Sequence, residues 1–231
     1  MRLIDISDSN GMIRIEFFGC NMKCPYCVHI HQPFKEVSVE EVVDLAKNSL
    51  SKAVHLGGAE PTLQKELIPL IKALNEVGKE VLLKSNGMKP GVLEDALPYV
   101  HGFVLELKAP LDNLKAIMEL TCMSEEKTKK YVGLLSESLE IAHKKWLRIW
   151  VRVIPGYVDP GTLSSLFPYM EGASEVLFYQ FLSNPDFDLP FREFESAVPS
   201  WDDLENIGKK TLLVVPRVIL MGVNGKLVLE K

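Results

Sequence analysis

Cys20, Cys24 and Cys27 lie in the run Gly19-Cys-Asn-Met-Lys-Cys-Pro-Tyr-Cys, a C-x3-C-x2-C spacing directly after an apolar, strand-like segment. Thiolates this close in sequence can wrap one side of a cubic iron–sulfur cluster, with the sulfurs reaching neighbouring irons. Three ligands leave the fourth iron open, and an open iron can bind and reduce a ligand instead of only passing electrons on. The same thiolates could instead hold a tetrahedral zinc ion, completed by Cys122, His29 or His31. Outside that reading, Cys122 is expected to be a buried or half-buried thiol, and the two histidines to be ordinary loop residues.

Four further polar groups carry potential chemistry: Gly57-Gly58-Ala59-Glu60-Pro61, Ser85-Asn86-Gly87, the pair Glu106 and Lys108, and Arg152. Each also has a plain structural reading, since glycine pairs serve strand-to-helix turns and Asn-Gly serves turns generally. Glu106 and Lys108 alternate along a strand and so share a face, opposite Leu105 and Leu107. Charges on an inward face are seldom kept without a partner or a task.

The elements that must hold these groups alternate between short β-rich runs and helical patterns, as parallel β/α units do. The expected strands are Met12 to Phe18, Ala53 to Gly57, Glu80 to Lys84, Gly102 to Leu107, Leu147 to Val153 and Glu175 to Tyr179. A first helix carries Val39, Val42, Val43, Ala46 and Leu50 on one stripe and opens with Ser38 and Glu41 as a capping box. A second follows Pro61, with Thr62 as N-cap, a stripe of Leu63, Leu67, Leu70, Ile71 and Leu74, and a stop at Gly78. A long helix spans Ser124 to about Trp146, its outer face carrying Glu125–Lys129 and Glu126–Lys130 pairs. Weaker helical patterns cover Gly91 to Leu97, Pro160 to Met170 and Asp202 to Lys209. Residues 183–188 read as a loop, and Leu212 to Leu229 as a short β-rich tail with a turn at Asn224-Gly225. Six β units predict a partial (β/α)6 barrel of TIM type, open on one side because closure takes eight. The polar motifs all fall at the carboxyl ends of strands, where such a fold gathers its functional residues.

The chain has 231 residues, 47% of them hydrophobic, enough for one substantial core. A single domain over 1–231 is expected, with a core at about 12–182 and a carboxyl-terminal extension at about 183–231. The net charge of −5 and pI near 5.6, without a dense basic run, argue against a nucleic-acid partner. Acidic residues arrive too early for a secretory signal and no apolar stretch approaches spanning length, so neither export nor a membrane is expected. Three bunched cysteines of four do not make a disulfide framework, and a reducing, cytoplasmic setting follows.

With its Cys20-x3-Cys24-x2-Cys27 run, Tyr26 before the last cysteine and the Gly57-Gly58-Ala59-Glu60-Pro61 segment, the chain resembles the radical S-adenosylmethionine (SAM) superfamily over roughly Met12 to Gln180. The resemblance implies a radical SAM enzyme: a [4Fe-4S] cluster on the three cysteines, SAM on the fourth iron, and reductive cleavage to a 5′-deoxyadenosyl radical. By position it implies that Gly57, Gly58 and Glu60 hold the SAM amino group, that Ser85 and Asn86 line the SAM site, and that Arg152 pairs with its carboxylate. Ser85-Asn86-Gly87, Glu106-Leu107-Lys108-Ala109-Pro110-Leu111-Asp112 and Val151-Arg152-Val153-Ile154-Pro155-Gly156 look most like the activating enzymes of glycyl-radical proteins. Pyruvate formate-lyase activases and the activating proteins of anaerobic ribonucleotide reductase are the nearest groups. The implied partners are a glycyl-radical protein as substrate and a flavodoxin or ferredoxin-type electron donor. The chain departs from that pattern in four places. Ala59 stands between Gly58 and Glu60, Glu106 replaces an aspartate associated with a monovalent cation, Cys27 is followed by Val28-His29 where the family has His-Asn-Pro, and Gln180 stands in for a histidine as the contact to adenine. A radical SAM enzyme for a small molecule, in cofactor or modified-nucleoside biosynthesis, and a zinc-stabilised interaction module remain as alternatives.

Overall fold

The structure, a computed structural model, describes residues 1–29, 31–193 and 198–231. Ile30 in the stretch after Cys27, and 194–197 in the carboxyl-terminal extension, lie outside the described residues. The chain gathers into two compact units: Met1–Asn21, Val28–Val104 and Leu134–Trp146 form one, and Met22–Cys27, Leu105–Gly133 and Leu147–Lys231 form the other.

In the first unit the strand order is β5-β4-β2-β1-β3. Strand β2 (Met12–Phe17) runs parallel to β4 (Ala53–Gly58), with Phe17 opposite Gly58, and β4 runs parallel to β5 (Glu80–Ser85). Strands β1 (Arg2–Ser9) and β3 (Lys35–Glu36) add antiparallel pairings that the sequence reading did not anticipate. Polar residues thin the apolar alternation of β1, yet Asn10-Gly11, both at positive φ, close the β1–β2 hairpin. That dipeptide is a standard signal for such a turn. Helix α1 (Val39–Asn48) opens on the expected Ser38/Glu41 capping box and buries Val42, Val43 and Ala46. Leu50 is not part of its stripe: the helix has ended, and the side chain is fully exposed. Thr62 is likewise not an N-cap of the next helix. Pro61–Leu63 form a separate 3-10 turn capped by the Glu60 carboxylate, and α2 (Leu67–Glu76) starts one turn later. Helix α3 (Pro90–Ala96) follows β5.

Strand β6 (Gly102–Glu106) and helix α5 (Glu125–Ala142) each divide between the two units. Helix α5 stops before Trp146, which opens β7 (Trp146–Val153). Helix α4 (Leu114–Thr121), N-capped by Asn113, is an addition to the expected elements.

In the second unit β7 runs parallel to β8 (Glu175–Gln180), after a 3-10 turn and the short α6 (Phe167–Met170). Strict alternation on β7 buries Leu147, Ile149, Val151 and Val153 on one face and turns Trp150 and Arg152 to the other. The carboxyl-terminal segment is more than a tail. Helix α7 (Trp201–Thr211), with a Ser200/Asp203 capping box, leads to β9 (Arg217–Gly222), which joins β8 in parallel. Gly208 makes this crossover compact, since a Cβ there would stand 2.9 Å from Leu229 and 3.1 Å from Leu220. Strand β10 (Gly225–Glu230) closes an antiparallel hairpin on β9, with its turn at Val223-Asn224, one residue earlier than expected. Glu175, 1% exposed, is paired with both Arg148 and Arg217, which joins the starts of β7, β8 and β9 by charge. Among the described residues, no helix is long and apolar enough to cross a membrane.

Candidate functional site

In the first unit the site residues converge where β2, β4 and β5 end. Gly58, at φ +85°, is irreplaceable there on steric grounds: a Cβ would lie 2.6 Å from the Phe17 nitrogen and 2.8 Å from its oxygen, both backbone atoms that cannot move aside. At Gly57 a Cβ would meet the His55 ring at 2.6 Å. The chain then crosses to the cysteine segment by backbone bonds, Ala59 N–H to Phe17 O at 2.9 Å and Glu60 N–H to Gly19 O at 3.0 Å.

Glu60 is wholly buried. Its Oε1 accepts from Thr62 N–H at 3.2 Å, Thr62 Oγ1 at 2.6 Å and Ser85 Oγ at 3.0 Å, and its Oε2 from Asn86 N–H at 2.8 Å. Burial pushes the Glu60 carboxyl up, while the donors on Thr62, Asn86 and Ser85 pull it back. A carboxylate so committed is turned toward the protein. Glu60 is thus an internal brace between β4 and β5, its carboxylate bonded to Thr62, Ser85 and Asn86.

The second unit supplies Cys24, Cys27, Tyr26, Glu106, Lys108 and Arg152. Cys24 is buried and Cys27 donates its N–H to the Cys24 carbonyl at 3.1 Å. Burial pushes the Cys24 thiol up, partly offset by the Lys108 ammonium beside it. Glu106 and Lys108, predicted to share a face, meet in an ion pair at 2.6 Å. Burial opposes charge on Lys108, yet the Cys24 sulfur and the Glu106 carboxylate hold it protonated. Tyr26 lies between two cations, Lys108 at 5.6 Å and Arg152 at 5.4 Å from its ring centroid, and packs against Phe181 and Phe191. The 183–188 loop reaches this segment as well, with Asp188 N–H bonded to Pro25 O at 2.8 Å.

Arg152 sits among the rings of Tyr26, Trp150 and Tyr179, 5.4 to 5.8 Å from their centroids. Its buried Nε has no hydrogen-bond partner among the described residues. A guanidinium fixed by stacking, with an idle buried donor, suits a planar anionic group.

Gln180 donates from its amide to Pro199 O at 2.7 Å and accepts from Val223 N–H at 2.9 Å, so it ties β8 to the following hairpin. One expectation is corrected. Cys122 is exposed, not buried, because it terminates α4 in the left-handed conformation at φ 53°. The sequence reading missed Asn21, whose side chain meets Asn86 at 2.8 Å. Its place inside the cysteine run was the available signal.

These residues fit an iron–sulfur cubane with a chelating ligand. No disulfide forms among the described cysteines, a cation stands by the Cys24 sulfur, and the Arg152 donor is idle. Among the described residues no three His, Cys, Asp or Glu side chains gather closely enough to hold a single metal ion.

Comparison with known proteins gives the same picture. The family model of the Radical SAM superfamily matches residues 17–145. MJ1227 of Methanocaldococcus jannaschii, named as a candidate glycyl-radical enzyme activating enzyme, is 23% identical over 219 residues, 91% of this chain and 89% of that protein. MJ1632 of the same organism, named likewise, is 30% identical over 193 residues, covering 82% and 68%. A shorter stretch of 75 residues is 28% identical to 7-carboxy-7-deazaguanine synthase of Haemophilus influenzae, 32% of this chain and 36% of that one. Among solved structures, TYW1 with a lysine–pyruvate adduct superposes with a TM-score of 0.67 at 17% identity, over 95% of this chain and 79% of that one. That likeness shows the fold class: α/β, with the parallel strands of the partial-barrel type.

Proposed function

Because this chain belongs to the radical SAM superfamily, its cofactors are a [4Fe-4S] cluster and SAM, and we propose that it activates a glycyl-radical protein by removing a hydrogen atom from a backbone glycine. The observation that carries this reading is the likeness to MJ1227 along 91% of the chain, more than the family model spans. In this reading the whole chain, 1–231, works as one domain.

The cluster and SAM together supply one-electron cleavage of a sulfonium, which delivers a hydrogen-abstracting radical. The chain's own residues have four tasks. Cys20, Cys24 and Cys27 hold three irons. The Gly57-Gly58 segment receives the SAM amino group through its backbone, with Ser85 and Asn86 beside it. Arg152 takes the carboxylate through the donor that the protein leaves idle. Lys108, paired with Glu106, stands beside Cys24, and Tyr26 with its aromatic neighbours excludes water from the buried side of the loop. A flavodoxin or ferredoxin-type protein is the electron donor we propose.

A second reading, a small-molecule substrate, draws support from the likeness to the deazaguanine synthase. One experiment separates the two. The anoxically reconstituted protein is incubated with SAM, a reductant and a candidate glycyl-radical protein, and both 5′-deoxyadenosine and the glycyl-radical signal are measured. Both are expected. Cleavage of SAM without a glycyl radical in any candidate partner favours the small-molecule reading.

A further inference from the structure

We propose that Asn86 sets the reduction potential of the cluster through a hydrogen bond from its side-chain amide to the Cys20 sulfur, with Glu60 as the residue that positions it. This rests on Cys20 being a cluster ligand, as proposed above.

Asn86 is 6% exposed and pinned at three points. Its N–H donates to Glu60 Oε2 at 2.8 Å, and its Oδ1 accepts from the Met88 N–H at 3.0 Å. The second bond settles the amide's orientation, because only the oxygen can face a backbone N–H. Nδ2 is thereby turned toward the cysteine run, where it lies 2.8 Å from Asn21 Oδ1 and 3.9 Å from Cys20 Sγ. Two amide hydrogens serve two acceptors, one of them sulfur.

Glu60 reaches Cys20 by two routes. Its backbone N–H holds the Gly19 carbonyl at 3.0 Å, fixing the residue before the cysteine. Its carboxylate holds the Asn86 backbone, fixing the amide that faces the sulfur. The turn beyond is braced too, with Gly87 N–H on Ser85 Oγ at 3.0 Å and Ser138 Oγ on Gly87 O at 2.8 Å. Gly87, at φ +79°, leaves room for Leu135, which would stand 2.5 Å from a Cβ there. The donor is therefore held rigidly before any ligand arrives.

Hydrogen bonds to cluster sulfurs are among the terms that set the potential. A cluster reduced by an external one-electron donor would carry more negative charge on its thiolates, and the fixed Asn86 N–H dipole would stabilise that charge. The amide proton stays on nitrogen and no bond is broken. Removing the donor makes the cluster harder to reduce.

The test is an anoxic redox titration of the reconstituted full chain, followed by the paramagnetic signal of the reduced cluster. At the potential where the wild type is half reduced, Asn86→Ala is expected to show a reduced-to-oxidised ratio about tenfold lower, a shift of about 59 mV for one electron. Asn86→Asp, isosteric but presenting a carboxylate to the sulfur, is expected to shift further in the same direction. A merely structural role would change iron content or melting temperature without ordering the potentials this way. Wild-type potentials in both variants at full iron content overturn the proposal. If Asn86→Ala does not retain iron, Asn86→Asp decides on the same criterion. The unmodified protein decides if neither does: asparagine labelled with ¹⁵N should show side-chain amide hyperfine coupling to the reduced cluster, and its absence overturns the proposal. A wild type that assembles no cluster at all would instead remove the function proposed above.

Discussion

Arg152 and Lys108 are two cations on the same tyrosine, and their environments divide their work. Lys108 already has its counter-charge in Glu106 at 2.6 Å. Arg152 has only ring faces, a long contact of 3.5 Å to the Tyr26 carbonyl, and a buried Nε with no bond among the described residues. A buried donor without an acceptor costs about 1–3 kcal/mol, a cost that a bound carboxylate would remove. Arg152→Ala is therefore expected to weaken SAM binding by roughly 10- to 100-fold, from the loss of a charged hydrogen bond worth about 1.5–3 kcal/mol. Iron content should be unchanged. Equilibrium binding to the loaded, unreduced protein checks this, and wild-type affinity would remove Arg152 from the site.

At the scale of elements, local capping and long-range pairing make separable contributions. The Ser38 hydroxyl takes the Glu41 N–H at 3.1 Å and the Glu41 carboxylate takes the Ser38 N–H at 2.7 Å, so α1 begins with two of its open donors satisfied. Ser38→Ala should lower unfolding free energy by about 1 kcal/mol. A urea titration would register it as a lower midpoint at unchanged slope, with the cluster spectrum unaltered, because α1 buries its apolar stripe and contributes no proposed ligand. By contrast β9 depends on partners distant in sequence: it pairs with β8 and places Arg217 against Glu175.

For the molecule as a whole, the proposed cluster and SAM are ligands of the folded chain. A ligand that binds only the folded chain stabilises it by mass action, about 2.7 kcal/mol at a hundredfold excess over Kd. For a chain of 231 residues that corresponds to a rise in Tm of roughly 5–10 °C. SAM added at that excess to the iron-loaded protein without reductant should produce it. The iron-free protein should respond less, since its chelating iron is missing, and equal responses would detach SAM binding from the cluster.

The cysteine spacing, the Gly-Gly segment and the β/α alternation were local patterns, so the chain's own order carried the family, the fold class and the Ser38 cap. Asn10-Gly11 was equally local, and the β1–β2 hairpin could have been read from it. What the sequence left open depends on groups far apart along the chain: that the Glu60 carboxylate closes on Thr62, Ser85 and Asn86, that Gln180 is consumed by Pro199 and Val223, and that the carboxyl-terminal segment extends the parallel strands of its unit. A side chain's type states which bonds it can make. Only the folded chain decides which of those bonds are already spent, because burial removes water as the alternative partner and forces each polar group to find one within the protein.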